Sequence, residues 1–109
     1  VDRLSRLTSS GDFRRVLATG KRFPASTIVV AVARRPEGGP ARVGFVAGKQ
    51  VGSAVARNRA KRLMREAVRR LQLKDATDVV VLARPSIAGK SFQIVERDVG
   101  EACLRAEAC

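Results

Sequence analysis

The segment Ala54-Val-Ala-Arg-Asn-Arg-Ala-Lys-Arg-Leu-Met-Arg-Glu-Ala-Val-Arg-Arg-Leu71 runs without Gly or Pro. Its apolar residues Ala56, Ala60, Leu63, Met64, Ala67 and Leu71 recur at helical spacing, which predicts one long helix from Ala54 to about Leu73. Ser53 is placed to cap its N-terminus. Opposite the apolar stripe, seven basic residues face a single acid, Glu66, a net of +6 out of the chain's +12. At ~100° per residue, Arg57, Lys61 and Arg65 form one row, with Asn58, Arg62 and Arg69 beside it. Like charges four residues apart repel, by a few tenths of a kcal/mol per pair. A bound polyanion converts that repulsion into attraction, so the face points to nucleic acid rather than to solvent.

The flanks of this helix set the fold class. Ser26-Thr-Ile-Val-Val-Ala-Val-Ala33 is rich in β-branched residues and almost continuously apolar, as in a strand covered on both faces. Pro36-Glu-Gly-Gly-Pro40 is a turn, and Arg42–Ala47 reads as a second strand, so the two are expected to form a hairpin. Asp78-Val-Val-Val-Leu-Ala-Arg84 is a third strand, cut off by Pro85. Ser9 and Asp12 have capping-box spacing ahead of Phe13, Val16 and Leu17, a short helix that Gly20 stops. Phe92, Val95, Val99, Ala102, Cys103 and Ala106 mark a last helix, weakened by Gly100. The order is α-β-β-α-β-α: an α/β (α+β) two-layer sandwich with a mixed sheet, in one domain spanning 1–109.

Composition excludes several function classes. The chain has 109 residues and no His, so Ser-His and Cys-His nucleophile pairs and His-based metal sites are ruled out. Its two Cys lie within seven residues of the end and cannot build a disulfide framework or a zinc site. Cys103 on the apolar stripe reads as core. No apolar run nears the ~18 residues of a membrane span, and Val1–Arg15 lacks a signal peptide's apolar core, so no membrane role and a cytoplasmic location are expected. Residues 1–74 carry 18 basic and 4 acidic residues, whereas residues 75–109 carry 4 and 6. That asymmetry directs a polyanion to the first part. The acids do not read as a metal cluster; Asp75 and Asp78 flank a turn, and Glu96, Asp98 and Glu101 are expected to solubilise the last helix.

The loop Gly48-Lys49-Gln50-Val51-Gly52-Ser53 leads into the basic helix, whose free N–H groups favour a phosphate. It lacks the spacing and the terminal Lys-Ser/Thr of a Walker loop. Arginine forks grip phosphate oxygens in pairs and stack on unpaired bases, and Asn58 adds a donor and an acceptor.

Taken together, Arg42-Val-Gly-Phe-Val-Ala-Gly-Lys49, Val51-Gly-Ser-Ala-Val-Ala-Arg-Asn-Arg59 and Ala60-Lys-Arg-Leu-Met-Arg-Glu66 closely resemble the bacterial ribonuclease P protein subunit. Asp12-Phe-Arg-Arg-Val-Leu17 with Gly20, and the Asp78–Arg84 strand, extend the resemblance over residues 8–108. The resemblance implies a left-handed βαβ crossover, against the usual hand. It implies a non-catalytic protein subunit of the tRNA 5′-maturation endoribonuclease, in which the catalytic RNA does the chemistry with magnesium, and the protein alone requires no cofactor. It also implies binding of the catalytic RNA by Lys49, Arg57, Asn58, Arg59, Lys61, Arg62 and Arg65. Phe13 and Leu17 then line a cleft for the single-stranded 5′ leader of precursor tRNA, and the protein is a monomer when bound to RNA in the bacterial cytoplasm. Two features depart from the family's frequent pattern: Gly48-Lys49-Gln50 and Gly52-Ser53 stand where Ser-Lys-Lys and Gly-Asn are frequent, and Ser26–Ala33 carries no aromatic on the cleft face. A basic DNA-binding or ribosomal-type RNA-binding protein is the alternative from another class. A stand-alone nuclease is opposed by the missing His and the scattered acids.

Overall fold

A computed structural model describes residues 5–109; residues 1–4, part of the expected domain, lie outside the described residues. Five strands form one mixed sheet: β1 (Ser5–Arg6), β2 (Lys21–Pro24), β3 (Ile28–Arg34), β4 (Arg42–Val46) and β5 (Thr77–Ala83), in the order β1-β4-β5-β3-β2. Three helices accompany it: α1 (Ser10–Thr19), α2 (Ala54–Arg69) and α3 (Phe92–Arg105). Short 3-10 turns at Lys49–Val51 and Pro85–Ile87 precede α2 and α3.

The expected order of three helices and three main strands is present, and β4, α2 and β5 make the βαβ unit, with β4 and β5 parallel neighbours. The expected hairpin between β3 and β4 is not formed. β5 inserts between them, antiparallel to β3 from Ile28↔Ala83 to Arg34↔Thr77 and parallel to β4 from Arg42↔Asp78 to Val46↔Leu82. The reason is burial. Val79, Val80 and Val81 are all fully buried, so β5 needs cover on both faces and a partner on both edges, which only the centre of the sheet supplies. The hairpin partner of β3 is instead β2, with Lys21↔Val32 through Pro24↔Val29. β2 is short, largely exposed and ends in Pro, features of an edge strand that hide it from periodicity.

Alternation along the strands divides the core in two. Ile28, Val30, Val32, Val43, Val79 and Val81 point to the face covered by α2 and α3, where Met64, Val68, Val95 and Val99 complete the main cluster. Ala31 and Val80 point to the other face, where they meet Leu7 and Val16 of the α1 region. The sheet and the α2–α3 pair thus form the main sandwich, and α1 lies across part of the sheet's second face.

Capping follows local chemistry. Ser9 accepts from the backbone N–H groups of Gly11 and Asp12 at 3.1 and 3.3 Å, and Ser53 accepts from Ala56 at 3.2 Å. Asp12 does not close the expected reciprocal box; its carboxylate turns to Arg42, 3.3 Å away. α2 ends at Arg69, earlier than the expected Leu73. Leu71 and Leu73 fold back against the main cluster, and Ala76 at φ 62° turns the chain into β5.

Candidate nucleic-acid interface

Ala60, Met64, Ala67 and Val68 hold α2 to the sheet, and this fixes where each cation goes. One flank leans on α3 and the turn before it: Arg59 donates to the Lys90 carbonyl of that turn at 2.9 Å. On the same flank Arg70 pairs with Glu96 at 3.3 Å and lies 4.7 Å from the centre of the Phe92 ring. The other flank faces β4, where the Arg65 guanidinium sits 5.8 Å from the Phe45 ring centre. Asn58, Arg62 and Arg69 point outward, and Arg69 is relieved by Glu66 at 3.3 Å. Arg57, Asn58, Lys61 and Arg62 make no side-chain hydrogen bond or ion pair among the described residues. Lys49, exposed in the turn before α2, makes none either, so of the residues expected to bind RNA these five make no side-chain hydrogen bond or ion pair among the described residues. Arg59 and Arg65 keep their charge uncompensated, because a carbonyl and a ring do not neutralise it.

Lys49 opens the 3-10 turn just before α2 and is exposed. Gly52, at φ 137°, takes a conformation that side chains rarely adopt, and it brings Ser53 into cap position. The turn carries Lys49 in the chain just ahead of the α2 N-terminus, whose free N–H groups favour a phosphate.

The second candidate surface is on the α1 side of the sheet. Register places Arg22, Ala31, Val80 and Gly44 in one row, and Pro24, Val29, Leu82 and Val46 in the next. α1 covers the first row: Val16 is buried on Ala31 and Val80, and the Phe13 ring lies on Gly44 so closely that any Cβ there would collide with it. The second row stays half-buried, an aliphatic floor of Val29, Leu82 and Val46 bordered by Phe13 and Leu17. Phe13 and Leu17 are themselves half-buried, so a packing role and an exposed edge coexist. As expected from Ser26–Ala33, the floor has no aromatic. Arg22, not anticipated from sequence, donates to the Leu17 carbonyl at 3.2 Å and adds a cation at this rim.

What positions α1 is a buried carboxylate that sequence reasoning missed. Asp78 does not merely flank a turn: it is fully buried in β5 and accepts from Arg15 of α1, Arg35 and Arg42. Arg42 reaches it twice, at 2.8 and 2.7 Å, and also touches Asp12 of α1. Burial alone raises the Asp78 pKa, but the hydrogen bonds and charges of Arg42 and Arg35 outweigh it and hold the carboxyl below its ordinary range. Asp78 in turn raises the pKa of Arg42. Arg35 also donates to the Gly38 and Pro40 carbonyls, closing the β3–β4 loop over the same acid.

Asp98 is the second correction. It does not solubilise α3; it is buried and accepts from Ser26 Oγ at 2.8 Å, Thr27 N at 2.9 Å and Thr27 Oγ1 at 2.5 Å, which ties the β2–β3 turn to α3. Burial raises its pKa too, and these donors more than reverse the effect. The one sequence signal is positional: Asp78 heads the apolar run Val79–Ala83, and Asp98 falls three residues after Val95 and four before Ala102, on the apolar stripe of α3. Cys103 is core as expected, its thiol pushed up to about 12 by burial and by the neighbouring Cys109.

No helix among the described residues is long and apolar enough to cross a membrane. Comparison with known proteins gives one consistent result. The family model for ribonuclease P matches residues 1–107. The ribonuclease P protein component of Symbiobacterium thermophilum is 41% identical over 103 residues, covering 93% of this chain and 90% of that protein. That of Gluconacetobacter diazotrophicus is 34% identical over 102 residues, covering 91% and 88%. Among solved structures, the Staphylococcus aureus protein superposes with a TM-score of 0.84 at 26% identity, covering 94% of this chain and 95% of that one. The Thermotoga maritima protein gives 0.81 at 26% identity, covering 93% and 96%. Matched by the family model over residues 1–107 and by these relatives and structures over nearly its whole length, the chain belongs to the ribonuclease P protein family.

Proposed function

We propose that this chain grips the catalytic RNA of ribonuclease P with α2 and its leading turn, through Lys49, Arg57, Asn58, Arg59, Lys61, Arg62 and Arg65. The cleft bordered by Phe13 and Leu17 receives the single-stranded 5′ leader of precursor tRNA. As a ribonuclease P protein component, the chain is the non-catalytic protein subunit of the endoribonuclease that matures tRNA 5′ ends. The observation that carries the site reading is the cationic side of α2, where the half-buried Arg57 and Lys61 and the exposed Arg62 make no side-chain hydrogen bond or ion pair among the described residues.

Neutralising phosphates with these groups releases counterions, and that drives association. The leader, held on the aliphatic floor of Val29, Leu82 and Val46, fixes the substrate relative to the RNA bound on α2. Both surfaces stand on one rigid frame, because the Asp78 cluster locks α1 to β4 and β5. Magnesium in the holoenzyme would be held mainly by the RNA, where it would supply Lewis-acid chemistry for the hydrolysis. The protein's own acids do not fit that task. Asp78 and Asp98 spend their oxygens on arginines and hydroxyls, and the described residues hold no cluster of three or more metal-ligating groups. The protein works as a single domain of residues 1–109, monomeric on its RNA, in the bacterial cytoplasm.

The test is cleavage of precursor tRNA at limiting magnesium with the catalytic RNA alone, the protein alone, and both. The reading expects cleavage to rise only when both are present. Cleavage by the protein alone, or no gain over the RNA, overturns it and favours a nucleic-acid-binding protein outside cleavage.

A further inference from the structure

Beside the cationic rows of α2 lies a groove of about 250 Å³, lined by Ser5, Arg6, Val43, Phe45, Arg65, Val68 and Arg69. Its floor is apolar, from Val43, Phe45 and Val68, and three arginines rise around it. That size is below the ~300–1,000 Å³ of most small-molecule pockets, so it suits a single ring system with its attached phosphate.

The strand edge supplies a second, independent feature. Along β4, alternate residues turn their N–H and C=O to the same neighbour. Ser5 N donates to Ala41 O at 2.9 Å and Leu7 N to Val43 O at 3.0 Å, so residues 41 and 43 face the β1 side. By the same alternation Phe45 faces that side too. The pairing of β1 stops at Arg6↔Val43, one step short of it, and Phe45 finds no backbone partner there among the described residues. An adjacent donor and acceptor, without a backbone partner among the described residues, match the hydrogen-bonding edge of a nucleobase. The half-buried Phe45 ring offers the stacking surface, which Arg65 now covers at 5.8 Å.

We propose that this groove captures one unpaired nucleotide of the catalytic RNA, its base stacked at Phe45 and read by the Phe45 backbone pair. Arg6, Arg65 and Arg69 hold the flanking phosphates. The assignment rests on the reading of α2 as the RNA-facing surface and adds a base contact to what is otherwise a phosphate-binding face. It makes part of the affinity independent of salt and confined to one position in the RNA.

The experiment compares wild type, Phe45→Leu and Arg62→Ala on the cognate catalytic RNA, transcribed in vitro. Binding is measured across a salt series, together with chemical probing of base edges. Phe45→Leu keeps an apolar side chain in the core, and thermal unfolding checks that it folds. The proposal expects Phe45→Leu to weaken binding about fivefold or more, the lower end for a lost base–aromatic stack. Its salt slope stays unchanged, and one unpaired base protected by wild type becomes reactive again. Arg62→Ala should keep that protection and flatten the slope. If wild type binds the RNA but Phe45→Leu binds equally well with identical protections, the groove proposal is overturned and the α2 reading stands. If wild type does not bind the RNA, both fall.

Discussion

Arg42 on β4 and Asp78 on β5 are joined by a two-pronged ion pair, Nε to Oδ1 at 2.8 Å and Nη2 to Oδ2 at 2.7 Å. With Arg15 and Arg35 on the same carboxylate, three parts of the chain converge on one fully buried charge. An isolated buried carboxylate would be strongly unfavourable; here every approach to it is cationic.

Asp78→Asn leaves three arginines around a neutral group and should cost about 3–5 kcal/mol, the range for breaking a buried pair. Denaturant unfolding at neutral pH checks this. The sign with pH follows from the depressed carboxyl: its contribution is full above the ordinary value of 3.8 and is lost as pH falls through the lower folded value. Wild type should therefore lose stability below about pH 4 more steeply than Asp78→Asn does.

Phe13→Leu keeps an apolar side chain on α1 but removes the ring edge at the cleft. It should weaken binding of precursor tRNA to the holoenzyme about fivefold, and leave mature tRNA, which has no leader, unaffected. Equal loss for both RNAs would place Phe13 outside leader binding.

Gly44 has no room for a Cβ beneath the Phe13 ring. Gly44→Ala should destabilise by about 1–3 kcal/mol through overpacking. In a Phe13→Leu background the penalty should shrink, since the smaller side chain can yield. A double-mutant cycle with zero coupling would deny the contact.

Gly100 sits in the interior of α3 with nothing within 4 Å of where a Cβ would be placed. Gly100→Ala should therefore stabilise by about 0.5–1 kcal/mol, visible as a rise in Tm of several degrees.

The sequence made the period-driven parts of this fold legible. The α2 stripe, the Ser53 cap, the apolar cores of β3, β4 and β5 and the α3 stripe all follow from local patterns. Strand pairing did not, because the β3–β4 turn looks the same whether its strands pair or admit a third between them. Only the double-sided burial of Val79–Val81 decides that. β1 and β2 are too short and polar to show a period. At the site, the charge of α2 was readable from spacing, but its division was not. That Arg59 and Arg70 serve α3 and the turn before it, while Arg57, Lys61 and Arg62 have no partner among the described residues, depends on where α3 lies. Asp78 and Asp98 were misjudged for the same reason: their partners are 36 to 72 residues away.

The central claim is that the free cations of α2 meet RNA phosphates, and the salt dependence of catalytic-RNA binding tests it most directly. Wild type, Arg57→Ala, Arg62→Ala and the double variant are titrated across a range of salt concentrations. Each single substitution should flatten the log–log slope by roughly 0.7–0.9, and the double by about twice that. Slopes identical to wild type in all three variants would mean that these arginines face solvent in the complex, and would contradict the account.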